Sequence, residues 1–203
     1  MPPNSDLEPK TRRGRASRER LVEVAAASVA DHGIHQMRLD DVLTAAGASK
    51  SQLYHYFTDR DGLVEAAVAH RCTEFLDQLI PAFARVATLD DLDATLAGFA
   101  RNYAQSLAGC PIGTLASDVM AGPEPTRQRV VSAFSAWESL LAEALIRAKE
   151  NGELRASADP ADLATVLLAG LEGGMLLGQV RQDPAPLKTA LAAAMGYVRT
   201  FAR

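Results

Sequence analysis

Between Ala45 and Arg60 the chain reads AAGASKSQLYHYFTDR, and its residues from Lys50 to Tyr56 have types and spacing that could do chemistry. Lys50 can donate to guanine O6 and N7, and the amide of Gln52 matches adenine N6 and N7. Ser51 adds a short donor and acceptor at the same end. Tyr54 and Tyr56 carry hydroxyls on apolar rings, suited to phosphate oxygens, and His55 suits a base edge or a phosphate. Ser49 stands where a helix N-cap belongs. Arg60 downstream is placed to hold a phosphate at the flank, aided by the positive end of the helix it opens. This is chemistry of recognition rather than of bond breaking. His32, His35, His55 and His70 do not pair with acids at the spacing of a metal or catalytic site. HExxH, a nucleophile elbow and a phosphate-cradling loop are all missing, so no enzyme, metal or cofactor is expected.

These side chains need a scaffold. Leu39, Val42 and Leu43 repeat at helical spacing, which predicts a short amphipathic helix over Leu39–Ala46. Gly47 suits the left-handed turn after it. In the next helix Leu53 and Phe57 point inward and leave Lys50, Ser51, Gln52, Tyr54, His55 and Tyr56 outside. Two short helices with a tight turn make a helix-turn-helix. The same run alone also fits an ordinary αα-hairpin with a solvated second helix. Ahead of it, a first helix is expected over Ser17–His32 on the stripe Leu21, Val24, Ala25 and Val29, closed by Gly33. Residues 1–16 read as a disordered basic arm. Lys10, Arg12, Arg13, Arg15, Arg18 and Arg20 are opposed only by Glu19, which suits phosphates or a minor groove as well as a plain solvated terminus.

Composition sets the class. The chain has 203 residues, 48% of them hydrophobic, with scattered β-branched residues, which favours an all-α protein with a sizeable core. The net charge of −4 is unevenly spread: residues 1–71 balance, and residues 72–203 carry the whole excess. A nucleic-acid binder needs a positive face, not a positive protein. Cys72 and Cys110 build no disulfide framework and fit a reducing cytoplasm, with a redox role for Cys110 left open. No apolar run approaches about 20 residues, so no membrane span is expected, and the polar N-terminus is no signal peptide.

Residues 17–61 are expected to form the helix-turn-helix domain and residues 62–203 a helical domain that binds an effector and dimerises. Its helices begin at Arg60, Leu89, Thr114, Thr126, Pro160 and the Asp183–Pro186 stretch, nine in all, with Pro81 expected to end or kink the fourth. Phe83, Phe99, Tyr103, Met120, Phe134, Trp137, Leu141 and Met175 are bulky apolar groups that each suit plain core or, as a set, a pocket that favours a small lipophilic or aromatic molecule. Gly170, Gly174 and Gly178 recur every four residues beside Val166, Leu167, Leu171 and Leu177. Leu187, Leu191, Ala194, Met195 and Val198 form a matching stripe on the last helix. Two helices this apolar suit a two-fold four-helix contact between subunits, or close packing inside one chain.

The runs Leu21–Gly33 and AAGASKSQLYHYFTDRDGLVEA resemble the N-terminal domain of the TetR family of bacterial repressors. Gly109–Ser117, GCPIGTLAS, is similar to the LmrA/YxaF-like branch of that family. The resemblance implies nine helices, base readers at the start of the third helix, a homodimer on double-stranded DNA with an inverted-repeat operator, and a small-molecule effector that releases a repressor. One departure is Arg38, where the family usually has a capping Thr. Arg cannot accept the cap hydrogen bond, though it can hold a phosphate. The alternative is a dimeric small-molecule-binding protein of the same fold without specific DNA recognition.

Overall fold

Pro9 and residues 11–203 are described by the computed structural model; the expectations for residues 1–8 and Lys10 lie outside the described residues. Among the described residues the chain forms nine α-helices: α1 (Arg12–His32), α2 (Leu39–Ala46), α3 (Lys50–Tyr56), α4 (Arg60–Phe83), α5 (Leu89–Ser106), α6 (Gly113–Met120), α7 (Glu124–Glu150), α8 (Pro160–Arg181) and α9 (Ala185–Arg199). Local chemistry fixes most of their ends. The Thr11 hydroxyl accepts from Gly14 N at 3.0 Å, so α1 starts five residues before the expected Ser17 and takes Arg12, Arg13 and Arg15 out of the presumed arm. Gly47 adopts φ 61°, ψ 35° after α2, a left-handed turn that a side chain would strain. The Ser49 hydroxyl accepts from Gln52 N and the Gln52 amide accepts from Ser49 N, a reciprocal capping box that starts α3. Pro81 does not stop α4 at once; the helix ends two residues later at Phe83, where the missing donor falls in the last turn.

The expected boundary after residue 61 lies inside α4, which runs through it without a break. Packing divides the chain otherwise. One compact unit joins residues up to Glu74 with Thr114–Val131, and the other joins Phe75–Gly113 with Ser132–Arg203. In the first, Leu21, Ala25 and Val29 of α1 are buried with Val42 and Leu43 of α2, Leu53 of α3, and Leu63, Ala67 and Val68 of α4. Apolar stripes from four short stretches thus close one core and fix the tilt of α3.

In the second unit Trp137, Leu141 and Leu145 of α7 are buried along with Leu163, Leu167 and Leu171 of α8. The α8–α9 pair shows where the small-residue stripe goes. A Cβ on Gly174 would lie 2.7 Å from Leu187 Cα, and one on Gly178 would lie 2.8 Å from Asp183 O. Gly170 faces Ala194 and Ala190 of α9 at ordinary contact distance, 3.5 and 3.6 Å from a Cβ placed there. The glycine groove therefore receives α9 of its own chain. This corrects the dimer assignment for most of its residues: Leu167, Leu171, Leu187, Leu191, Ala194, Met195 and Val198 are buried within one chain. Val166 and Leu177 stay exposed, and Leu176 and Val180 join them on the outer face of α8.

α8 qualifies the expectation about membrane length, by length and composition only. It is long and apolar enough to cross a membrane, with a window of mean hydropathy 1.5. Counting uninterrupted apolar runs missed it because Glu172 breaks the run without lowering the mean much. Only 33% of that window is buried, so one side of the helix packs, its flanks are half-buried and its outer face is exposed.

Candidate DNA-reading head and ligand chamber

α3 is a rod of seven residues whose inner side is anchored by Leu53 and Tyr56. Lys50, Ser51, Gln52, Tyr54 and His55 are all exposed, Tyr54 at 54% of its area, so a continuous polar and aromatic face remains for a duplex. Tyr56 does not belong to it. Only 8% of its surface is exposed, and its hydroxyl lies toward Gly14 of α1. Its ring meets His55 edge to face at 5.1 Å, so Tyr56 supports the neighbour assigned to DNA instead of reaching out itself.

Lys50 Nζ sits 3.1 Å from Asp40 Oδ1 on α2, both side chains well exposed. Such a pair is cheap to open, and it holds the ammonium at the N-terminal end of α3 until a better acceptor arrives. Gln52 is more committed, because its Oε1 already accepts from Ser49 N at 2.8 Å. The expected bidentate contact to adenine would break the cap, leaving Nε2 as the free donor. At Arg38, N-cap of α2, there is no side-chain cap bond, as the residue type dictates, and the guanidinium stays exposed near Asp41 at 3.8 Å.

Arg60 is placed differently from the expectation. Its Nη2 donates to Ile34 O at 2.7 Å and to Met37 O at 3.3 Å. Asp118 of α6 accepts from Ile34 N at 2.8 Å. Ile34 is thus held at both its N–H and its carbonyl, one in each of two successive peptide groups, and the loop from α1 to α2 is fixed from two sides. Arg60 therefore positions the head through this loop by its Nη2, while Nη1, 3.8 Å from Asp61 Oδ1 on a part-exposed side chain, is not committed to the loop. Nothing in the local spacing of Asp118 points to a partner 84 residues away.

The second unit contains a chamber of about 330 Å³. Of the pocket residues read from the sequence, Phe99, Tyr103, Trp137 and Met175 line it. Phe83 is fully buried and stacks on Phe99 at 5.8 Å, behind the wall. Leu141 is core, Phe134 is not part of the lining, and Met120 is 79% exposed at the end of α6 in the other unit. Phe75, missed although it lies one helical step from Leu79 and two from Phe83, meets Trp137 edge to face at 5.0 Å. Gln78, Asn102 and Ser106 give the chamber a polar, uncharged mouth. Tyr103 hydroxyl donates to Met175 O at 2.8 Å, which fixes the ring and leaves its oxygen only as an acceptor.

Cys110 also lines the chamber, with its thiol hydrogen-bonded to Glu172. Burial pushes the thiol far up from its ordinary range, and the neighbouring carboxylate pushes it further. That environment holds a neutral thiol, the opposite of an activated redox cysteine. Glu172 is raised in turn by burial, only partly opposed by the Cys110 bond, and its Oε1 has no hydrogen-bond partner.

A tri-helical head with an outward third helix, in one chain with an all-α body, defines a helix-turn-helix transcriptional regulator. The residues matched to known families say which kind. A family model described as bacterial regulatory proteins of the tetR family matches residues 21–67, and one described as the tetracyclin repressor-like C-terminal domain matches residues 88–194. The chain belongs to the TetR family. It is similar to the uncharacterised regulator YxaF of Bacillus subtilis, 29% identical over 84% of this chain and 89% of that protein. It is also similar to LmrA of the same organism, 26% identical over 84% of this chain and 90% of that one. A solved TetR transcriptional regulator from Chloroflexus aurantiacus superimposes with a TM-score of 0.76 at 26% identity, covering 95% of this chain and 99% of the other. Members of the family are transcriptional regulators rather than enzymes; they bind DNA and small-molecule effectors and act as dimers.

Proposed function

We propose that this chain is a ligand-responsive repressor that binds an inverted-repeat operator as a homodimer in the cytoplasm. The observation that carries the reading is the exposed face of α3, where Lys50, Ser51, Gln52, Tyr54 and His55 stand clear of a buried Leu53. Lys50 and the Nε2 group of Gln52 read base edges, Tyr54 and His55 meet phosphates or a base edge, and Arg38 holds the backbone at the flank. Arg12, Arg13 and Arg20, exposed on α1, add positive charge near the duplex.

One recognition helix covers few base pairs, so a second copy is needed for useful affinity. The outer face of α8 supplies the contact: Val166, Ala169, Gly173, Leu176 and Val180 form an exposed apolar stripe with alternating steps of three and four residues, and Leu177 lies beside it. Gly173 has open space around it, so nothing among the described residues accounts for a helix-weakening residue there. The effector is a small, mainly apolar or aromatic molecule in the 330 Å³ chamber. Phe75 and Leu79 of α4 are chamber wall, and the first turn of α4 carries Arg60, so a ligand that prefers one placement of α4 biases the head.

Binding to fragments of the gene's own upstream region tests the reading. A regulator gives a steep salt dependence and an inverted-repeat footprint. A small-molecule-binding protein without DNA recognition gives neither, and that result would replace the proposal with the alternative.

A further inference from the structure

Two cavities in the Phe75–Gly113 and Ser132–Arg203 unit share part of one wall. The 330 Å³ chamber and a second cavity of about 430 Å³ are both lined by Gln78, Phe99 and Asn102. Their characters differ. The chamber is aromatic and holds no charged side chain in its wall, whereas the second cavity includes Arg85 and Asp91.

We propose that the two cavities form one bipartite site for an aryl carboxylate, with the ring in the chamber and the carboxylate on Arg85. This rests on the chamber being the effector site. Phe75, Phe99, Tyr103 and Trp137 suit a planar ring, and a charge left among them would be costly. A carboxylate on such a ring is better placed beyond the shared wall, on the side of the uncharged amides of Gln78 and Asn102. On the far side Arg85 makes no hydrogen bond or ion pair with the described residues. Its place in the chain is nevertheless fixed. Arg147 donates from Nη2 to Phe83 O and from Nε to Val86 O, both at 2.7 Å, pinning the carbonyls on either side of Arg85.

Asp91, the acid in the same cavity, does not serve as the partner of Arg85. Its Oδ2 accepts from Ala87 N and Thr88 N, and these bonds with the Thr88 hydroxyl hold its carboxyl below the usual range. Its charge is taken up by the N-terminus of α5. Arg85 remains the cation of this cavity without a protein partner among the described residues, and its planar fork matches a carboxylate.

The test uses the full chain without DNA and three probes: 4-phenylbutanoate, 4-phenylbutanamide and butanoate. Trp137 is the single tryptophan of the chain and lines the chamber, so its emission reports a ring bound there, while calorimetry gives affinity. The acid is expected to bind about tenfold tighter than the amide, and both to change Trp137 emission; butanoate should not change it. Arg85→Ala, a change at an exposed side chain, should remove the acid's advantage and leave the amide unchanged. Arg85→Lys should restore part of it. Equal affinities for acid and amide, an unaffected Arg85→Ala, or binding without a change at Trp137 would overturn the proposal. Operator binding is measured separately, so a chain that takes the acid but ignores DNA loses the regulator reading and keeps this one.

Discussion

With its Oε1 accepting from Ser49 N, Gln52 keeps only the Nε2 group for a base edge, whereas Lys50 gives up no more than an exposed pair with Asp40. The two substitutions should differ accordingly. Lys50→Ala is expected to relax preference at one base position by about 1–3 kcal/mol without changing stability. Gln52→Ala removes a base donor and half of the capping box, so it should lower both preference and thermal stability. Tyr54→Phe should weaken all sequences nearly alike, since a phosphate contact carries no base information. Titration of operator variants, paired with melting curves, separates these outcomes. Glu172 allows a further prediction at this scale. Burial raises its pKa in the folded chain, so folding carries no penalty at pH low enough to protonate both states. As pH climbs past the ordinary carboxylate range, the unfolded chain ionises first and the penalty grows. Glu172→Gln should therefore raise the melting temperature at pH 8 by roughly 2–4 °C and have little effect near pH 4. A gain that is the same at both pH values would contradict the buried-acid account.

At the level of elements, the loop between α1 and α2 is held by Asp118 and Arg60, so its order depends on α6 and α4 together. Asp118→Ala leaves Ile34 N–H without its acceptor and should cost about 1–3 kcal/mol in urea unfolding, with Asp118→Asn recovering much of it. The α8–α9 seam gives a second contrast. Gly174→Val would drive a side chain into the backbone at Leu187 and is expected to cost about 1–3 kcal/mol or more, while Gly173→Ala, in open space, should leave the fold intact. The helix-turn-helix was legible because its signals are local: the α2 stripe, Gly47, and a cap three residues from its partner. The glycine stripe on α8 was equally visible, yet its partner was not. Apolar periodicity says that a face is covered without saying by which chain, so Leu187 and Leu191 were read as interface when they are core. The loop clamp was invisible for a related reason. Arg60 and Asp118 both meet Ile34 across long stretches of chain, and neither carries a sequence signal for it.

For the whole molecule the question is how a chain of net charge −4 holds a polyanion. The local excess of cations between Lys10 and Arg20 answers only half, because one head makes too few contacts for a specific site. Two-fold pairing doubles the footprint, and the exposed stripe of α8 is where the pairing is proposed. Leu176 and Val180, at 61% and 74% exposure, are the bulky members of that stripe. Because both lie outside the packed core of their own chain, Leu176→Asp and Val180→Asp should leave the melting of the isolated chain and the ring-binding chamber as they are. What they change is the contact with a second copy, where a buried unpaired carboxylate would face an apolar surface. Sedimentation at micromolar concentration should then show a monomer in place of a dimer. Linking two half-site contacts turns the second into an intramolecular step, so losing the link should weaken operator binding by about 10²-fold or more, and halve the salt slope. A variant that sediments as a dimer and binds the full operator unchanged would move the interface elsewhere on the chain.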